Sequence, residues 1–178
     1  MVSSTSWTDD EDFNILLEAL RVYNESWTPA HPHLYCVITG KGPRKNHYMQ
    51  LFASEQLVHV DIASAWVDQS DYATLIACAD FGVSLHQSSS GLDLPMKILD
   101  MFGCGVPVLA LNFPCISELV VHGTKYSHIN NSGLVFGSGY QLGRQMVDLF
   151  GKNGHIYSFV IDGGNWDANW LECMAPFV

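Results

Sequence analysis

Charge is scarce in this sequence, and positive charge scarcer still. Only 15% of the 178 residues are charged, and 8 lysines and arginines face 18 acids, a formal charge of -10. Such a balance leaves nothing to neutralise a long run of phosphates, which excludes a nucleic-acid groove. It does not exclude one nucleotide, which a few backbone amides and a single lysine can hold. Long apolar runs are also missing: no stretch approaches the roughly 18 residues of a membrane span, and no signal peptide is visible. The five cysteines (Cys36, Cys78, Cys104, Cys115 and Cys173) are odd in number and lack CxxC spacing. That pattern argues against a disulfide framework or zinc, and fits buried thiols in a reducing compartment. Internal repeats and low-complexity tracts are absent. So are GxGxxG and a Walker loop, which disfavours a dinucleotide oxidoreductase domain. No Ser-His-Asp, Cys-His or paired-carboxylate set stands out, so no catalytic residue and no metal ligand is assigned.

What is present is apolar sequence in short pieces. Hydrophobic residues make up 48% of the chain, enough for one domain with a real core. The runs Leu34 to Thr39, Val58 to Ile62, Phe81 to Leu85, Val106 to Leu111 and Gly133 to Phe136 read as strands buried on both faces. The chain is already strand-like at Val2, a start that points to the C-terminal portion of something longer. Helical patterns lie between the strands. Thr8-Asp9-Asp10-Glu11 has the form of a capping box before Phe13, Leu16, Leu17 and Leu20. Its acidic residues suit a helix dipole better than a metal. Asp68 precedes a helix with Tyr72, Leu75, Ile76 and Ala79. Pro95 suits the first turn of a helix through Met96, Leu99 and Phe102, stopped by Gly103-Cys104-Gly105. Pro114 opens another with Ile116, Leu119 and Val120. Gly123 to Ser132 reads as a surface loop, Gly151 to Asn165 is weakly patterned, and a short helix with Trp166, Trp170, Leu171 and Met174 closes the chain. The alternation predicts an α/β fold, a single Rossmann-like domain around a parallel sheet.

In such a sheet ligands bind beyond the carboxyl ends of the strands, so the loops from strand to helix are the ones to read. Thr39-Gly40-Lys41-Gly42-Pro43 lets the backbone turn tightly beside a ligand, though a glycine turn is often only a turn. Ser88-Ser89-Ser90-Gly91-Leu92-Asp93-Leu94-Pro95-Met96-Lys97 places hydroxyls, a helix start and an ammonium together, the makings of a diphosphate cradle. Asp100, one turn after Lys97, suits two sugar hydroxyls; an exposed Lys–Asp pair of little weight reads equally well. Trp66-Val67 ends a strand and can flank a base, or simply fill the core. His86, with no carboxylate near it in sequence, reads as structural or exposed.

The block Ser88 to Lys97 continuing through Asp100-Met101-Phe102-Gly103-Cys104, with Val2-Ser3-Ser4-Thr5-Ser6-Trp7-Thr8, Ile38-Thr39-Gly40-Lys41-Gly42-Pro43, Asp71-Tyr72 and Ala79-Asp80, closely resembles the chitobiosyldiphosphodolichol β-mannosyltransferases. The pattern P-x-K-x-x-[DE]-x-x-x-x-G-x-P-V is shared by many GT-B glycosyltransferases; the block Ser88 to Lys97 is more particular. The resemblance runs from Val2 to about Phe150, with a weaker echo in Trp166 to Val178. It implies the C-terminal half of a GT-B enzyme, with residues 1–150 a donor nucleotide-binding domain and 151–178 a shortened extension with a terminal helix. It implies an inverting transfer of mannose from GDP-mannose to dolichol-diphosphate-linked chitobiose, at the cytosolic face of the endoplasmic reticulum membrane. No permanently bound cofactor is implied. By position, Gly40 and Gly42 would line the donor and Trp66 and Val67 would flank guanine. Ser88, Ser89, Ser90, Gly91 and Lys97 would bind the diphosphate, with the Leu94 amide, and Asp100 would hold the ribose. The family's acceptor lobe has no counterpart here, and about seven extra residues enlarge Thr124 to Asn130. The dolichol-linked acceptor would bind only with that lobe present. The surface the lobe would cover is a place for a partner subunit. A non-catalytic nucleotide-sugar-binding module is the alternative.

Overall fold

The computed structural model describes residues 1–87, 90–120 and 133–150. Among them, strands and helices alternate: β1 (Val2–Ser4), α1 (Phe13–Ser26), β2 (Leu34–Thr39), α2 (Lys45–Ala53), β3 (Val60–Ala65), α3 (Gln69–Ala77), β4 (Gly82–Ser84), α4 (Met96–Gly103), β5 (Val108–Leu111), a 3-10 turn (Ile116–Glu118), β6 (Gly133–Phe136) and α5 (Gly139–Leu149). The strands form one parallel sheet in the order β3-β2-β1-β4-β5-β6. The expected α/β architecture with a parallel sheet is what the chain adopts. Strand β1 sits in the middle, and the order reverses between it and β4, which opens a crevice at the carboxyl edge.

Alternation along the strands supplies two cores. One face collects Leu16, Leu20, Tyr23, Ile38, Phe52, Leu109, Phe136 and Met146, under α1, α2 and α5. The other collects Val2, Ile76, Ile98, Met101, Val108 and Ile116, under α3, α4 and the 3-10 turn. Each fully buried Leu, Ile, Met or Phe contributes about 1.5–3 kcal/mol of transfer free energy.

Several element boundaries and faces differ from the sequence reading. The third strand runs Val60–Ala65 rather than from Val58, which is 73% exposed. It is an edge strand paired only with β2, and its exposed positions Asp61 and Ala63 break the apolar run, which therefore misplaces its bounds. Strands β4 and β5 are shorter than their apolar runs. The segment after Pro114 makes one 3-10 turn, not a helix. In α4 the buried side chains are Ile98 and Met101, whereas Met96 and Leu99 face outward. Pro95 is the N-cap rather than a first-turn residue. Thr8 and Glu11 do not form a capping box. The helix starts later, where the Asp12 carboxylate accepts from the Asn14 amide at 2.9 Å. The predicted loop Gly123 to Ser132, the insertion Thr124 to Asn130, the stretch Gly151 to Asn165 and the terminal helix of Trp166, Trp170, Leu171 and Met174 lie outside the described residues, as does Cys173. Among the described residues, no helix is long and apolar enough to cross a membrane.

Candidate functional site

The loops that leave β1, β2 and β3 and the first turns of α3 and α4 converge on one open cavity of about 290 Å³. Ser4 and Thr5 come from the end of β1, Thr39 and Gly40 from β2, Trp66 and Val67 from beyond β3, Gln69 and Tyr72 from α3, and Lys97 from α4. Four of the residues singled out in the sequence, Gly40, Trp66, Val67 and Lys97, therefore share one space.

Gly40 has φ +125°, and a Cβ built there would stand 1.9 Å from the Thr5 carbonyl oxygen. The β1 and β2 loops pass so closely that only glycine fits, and the Thr5 amide bonds the Thr39 carbonyl at 3.0 Å. Gly42 makes a similar approach to the Ser6 carbonyl and is not among the residues lining the cavity. Trp66 is 58% exposed, and the Lys41 ammonium lies 4.1 Å from the centre of its ring. That rules out a core-filling role and leaves an aromatic face at the cavity wall, carrying a cation.

Lys97 reaches down to the β1–α1 loop. Its ammonium is 3.2 Å from Glu11 Oε1 and 3.4 Å from Ser6 Oγ. The Glu11 carboxylate is buried; its other oxygen accepts from the Thr5 hydroxyl and, at 3.1 Å, from the Ser6 amide. The loop is anchored by Trp7, which is fully buried, stacks on Phe13 at 4.5 Å and has φ 52°. A bulky residue in that region costs on the order of 1–3 kcal/mol, sustained here by packing. Its amide bonds the Thr5 hydroxyl at 2.8 Å.

Asp100 is exposed and is not among the residues lining the cavity. It joins the site through Tyr72, whose hydroxyl lies 2.9 Å from Ser4 Oγ and 3.4 Å from Asp100 Oδ2. Burial, reinforced by the Asp100 charge, raises the Tyr72 phenol above its ordinary value, so it remains a donor across the physiological range. Ser90, Gly91 and Leu94 shape the loop into α4: the Ser90 hydroxyl donates to Asp93 at 3.1 Å and accepts from the Leu92 amide at 3.2 Å, and Gly91 has φ +75°. Ser88 and Ser89 lie outside the described residues.

Two acidic contacts were invisible in the sequence. His86 is not without carboxylates: Asp93 Oδ2 is 2.8 Å from Nε2 and Asp10 Oδ2 is 3.4 Å from Nδ1. It clamps the α4 loop to the β1–α1 loop, because the chain brings position 10 beside position 86 through the Glu11–His86 bridge. The Thr8 hydroxyl, with His86 and Lys97 adding to it, holds the Asp10 carboxyl below its usual value. Glu11 was missed because its spacing from Thr8 imitates a capping box. The signal that could have found it is the lysine across the crevice, which no local pattern reveals.

A parallel sheet with a cavity at the reversal of its strand order, one lysine at the helix start and an aromatic at the rim, is the form of a Rossmann-like half of a GT-B glycosyltransferase. Residues 1–150 match the family model described as glycosyl transferases group 1, and the chain belongs to that family. Over 189 residues it is 44% identical to chitobiosyldiphosphodolichol beta-mannosyltransferase of Mus musculus and 42% identical to that of Homo sapiens. These alignments take in 100% of this chain but only 38% and 39% of the relatives, so the chain spans well under half their length. In three dimensions it is similar to the pneumococcal O-GlcNAc transferase GtfA, solved in complex with UDP and GlcNAc. The TM-score is 0.67 at 13% identity, over 99% of this chain and 34% of that one.

Proposed function

We propose that this chain is the donor-binding half of a mannosyltransferase that moves mannose from GDP-mannose to dolichol-diphosphate-linked chitobiose. The observation that carries the reading is the one cavity in which Gly40, Trp66, Val67 and Lys97 meet from two loops and a helix. Residues 1–150 form the donor unit, and 151–178 its extension. The family resemblance and the named relatives supply the substrate class.

In this reading Trp66 and Val67 flank the guanine, and Gly40 lets the backbone lie against the donor. Asp100 takes the ribose hydroxyls with Tyr72 beside it. Lys97, the α4 amides and the loop from Ser88 through Ser89, Ser90 and Gly91 to Leu94 take the diphosphate. Transfer with inversion requires an acceptor oxygen to attack the anomeric carbon as the bond to the diphosphate breaks. The charge that develops on the departing GDP is what Lys97 and the amides stabilise. The proton leaving the acceptor needs a base on the opposite side of the sugar. Among the described residues lining the cavity there is no carboxylate or imidazole to serve. In this reading the acceptor site and base belong to the lobe that would face this one, on the cytosolic side of the endoplasmic reticulum membrane. The same observation favours a second reading, a nucleotide-sugar-binding module that performs no transfer by itself.

Calorimetric titration with GDP, GDP-mannose and UDP tests the donor site. Both guanine ligands are expected to bind, and Lys97→Ala to weaken them by about tenfold or more, the weight of a charge-assisted hydrogen bond. Asp100→Ala should also weaken both. Absence of binding by the folded chain would end the donor-site reading, and tighter UDP binding would replace the base. Transfer of labelled mannose to a chitobiosyl lipid separates enzyme from module, and this chain alone should give little.

A further inference from the structure

Glu11 has no place in the donor site as drawn so far, yet it is only 3% exposed, at the crossing of its two halves. Burying a carboxylate is costly unless it is paired and hydrogen-bonded, and this one is both, with three donors. Oε2 takes the Thr5 hydroxyl and the Ser6 amide, while Oε1 takes the Lys97 ammonium at 3.2 Å. Thr5 and Lys97 both line the cavity; Glu11 does not. An ammonium has three hydrogens. Glu11 and Ser6 occupy two, leaving one for a ligand in the cavity.

We propose that Glu11 is the positioning residue for Lys97: a buried anion that fixes the free end of a long, flexible side chain before a diphosphate arrives. The inference rests on the reading of this cavity as a diphosphate site. Lysine loses much rotamer freedom on being held, and a site that has already held it loses less when the ligand binds. The carboxylate belongs to the β1–α1 loop and the lysine to α4, so the pair also sets the spacing of the two walls. Glu11 does not touch the ligand. Its influence passes through Lys97 and should be felt only by ligands with phosphate.

Glutamine at position 11 keeps an oxygen for Thr5 and Ser6 and removes the charge that holds the ammonium. In calorimetry on the whole chain, Glu11→Gln is expected to weaken GDP by about tenfold, the weight of leaving one long side chain unfixed. Guanosine, followed by NMR titration, should bind as in the parent, and Glu11→Gln should cost nothing further in a Lys97→Met background. Unchanged or tighter GDP binding would overturn the proposal, as would an equal loss for guanosine or additive losses with Lys97→Met. Should Glu11→Gln fail to fold, Ser6→Ala removes the other ligand of the ammonium without touching the buried carboxylate. It should weaken GDP by about threefold, again only when Lys97 is present; no effect there would equally overturn the proposal. Failure of the parent to bind GDP would remove the donor site itself. Parent binding that Lys97→Met abolishes and Glu11→Gln leaves intact would remove only this inference.

Discussion

Replacing Gly40 by alanine puts the crossing of the β1 and β2 loops to a direct test. The new Cβ would lie 1.9 Å from the Thr5 carbonyl oxygen and 3.0 Å from its carbon, both backbone atoms that no rotamer change can move aside. Van der Waals contact begins near 3.4 Å, so the two loops must part by about 1.5 Å. Parting them strains the hydrogen bonds from the Thr5 amide to Thr39 and from the Gly40 amide to Ala65, 3.0 and 3.2 Å long. Each is worth about 1 kcal/mol net, and φ +125° adds about 1–3 kcal/mol for a residue with a side chain. We expect Gly40→Ala to lose about 3–5 kcal/mol of stability, read by urea denaturation, with GDP binding reduced below detection. Gly91→Ala is the control. Its φ is also positive, at +75°, but nothing lies within 4 Å of the added carbon. Only backbone strain of about 1–2 kcal/mol is expected there. Equal losses for the two variants, or a Gly40→Ala protein that binds GDP like the parent, would refute the steric reasoning.

Tyr72→Phe removes the hydroxyl between Ser4 and Asp100; calorimetry should show GDP weakened by about fivefold, the weight of one hydrogen bond near 1 kcal/mol. Tyr23, whose hydroxyl donates to the Pro32 carbonyl at 2.8 Å, is pushed by burial up to about 12. Because its folded value lies above the ordinary 10, its contribution is complete below about pH 10 and disappears as pH rises toward 12. An absorbance titration of the parent should show a late-ionising component, and Tyr23→Phe should reduce it by one phenol. Burial likewise pushes the Cys36 thiol up to about 12, whereas Cys78 is exposed. Alkylation with mass detection near pH 8 should label Cys78 readily and leave Cys36 unlabelled until the chain unfolds.

The sheet was legible because β2, β4 and β5 lie within continuous apolar runs, although β1 between them is only Val2-Ser3-Ser4. Legibility failed at the periphery: β3 at the edge has one wet face, so Val58 looks like a strand residue and is not. The face of α4 failed for a related reason. Met96 and Leu99 are as apolar as Ile98 and Met101, and only the position of the sheet decides which pair turns inward. At the site, loop chemistry pointed to Gly40, Trp66 and Lys97, residues whose types are unusual for where they stand. What local pattern cannot carry is pairing across 86 positions, as between Glu11 and Lys97, or 68, as between Tyr72 and Ser4.

Among the described residues, one of the two clusters flanking the sheet gathers more buried side chains than the other, and Lys97 and Asp100 stand on α4, over the smaller one. The Gly40 turn belongs to the side where α1, α2 and the large aromatics Trp7, Phe13 and Tyr23 are packed. A molecule gripping both walls would act as a rivet between them. Amide protons in α3 and α4 should therefore gain protection on ligand addition, while those of α1 barely change.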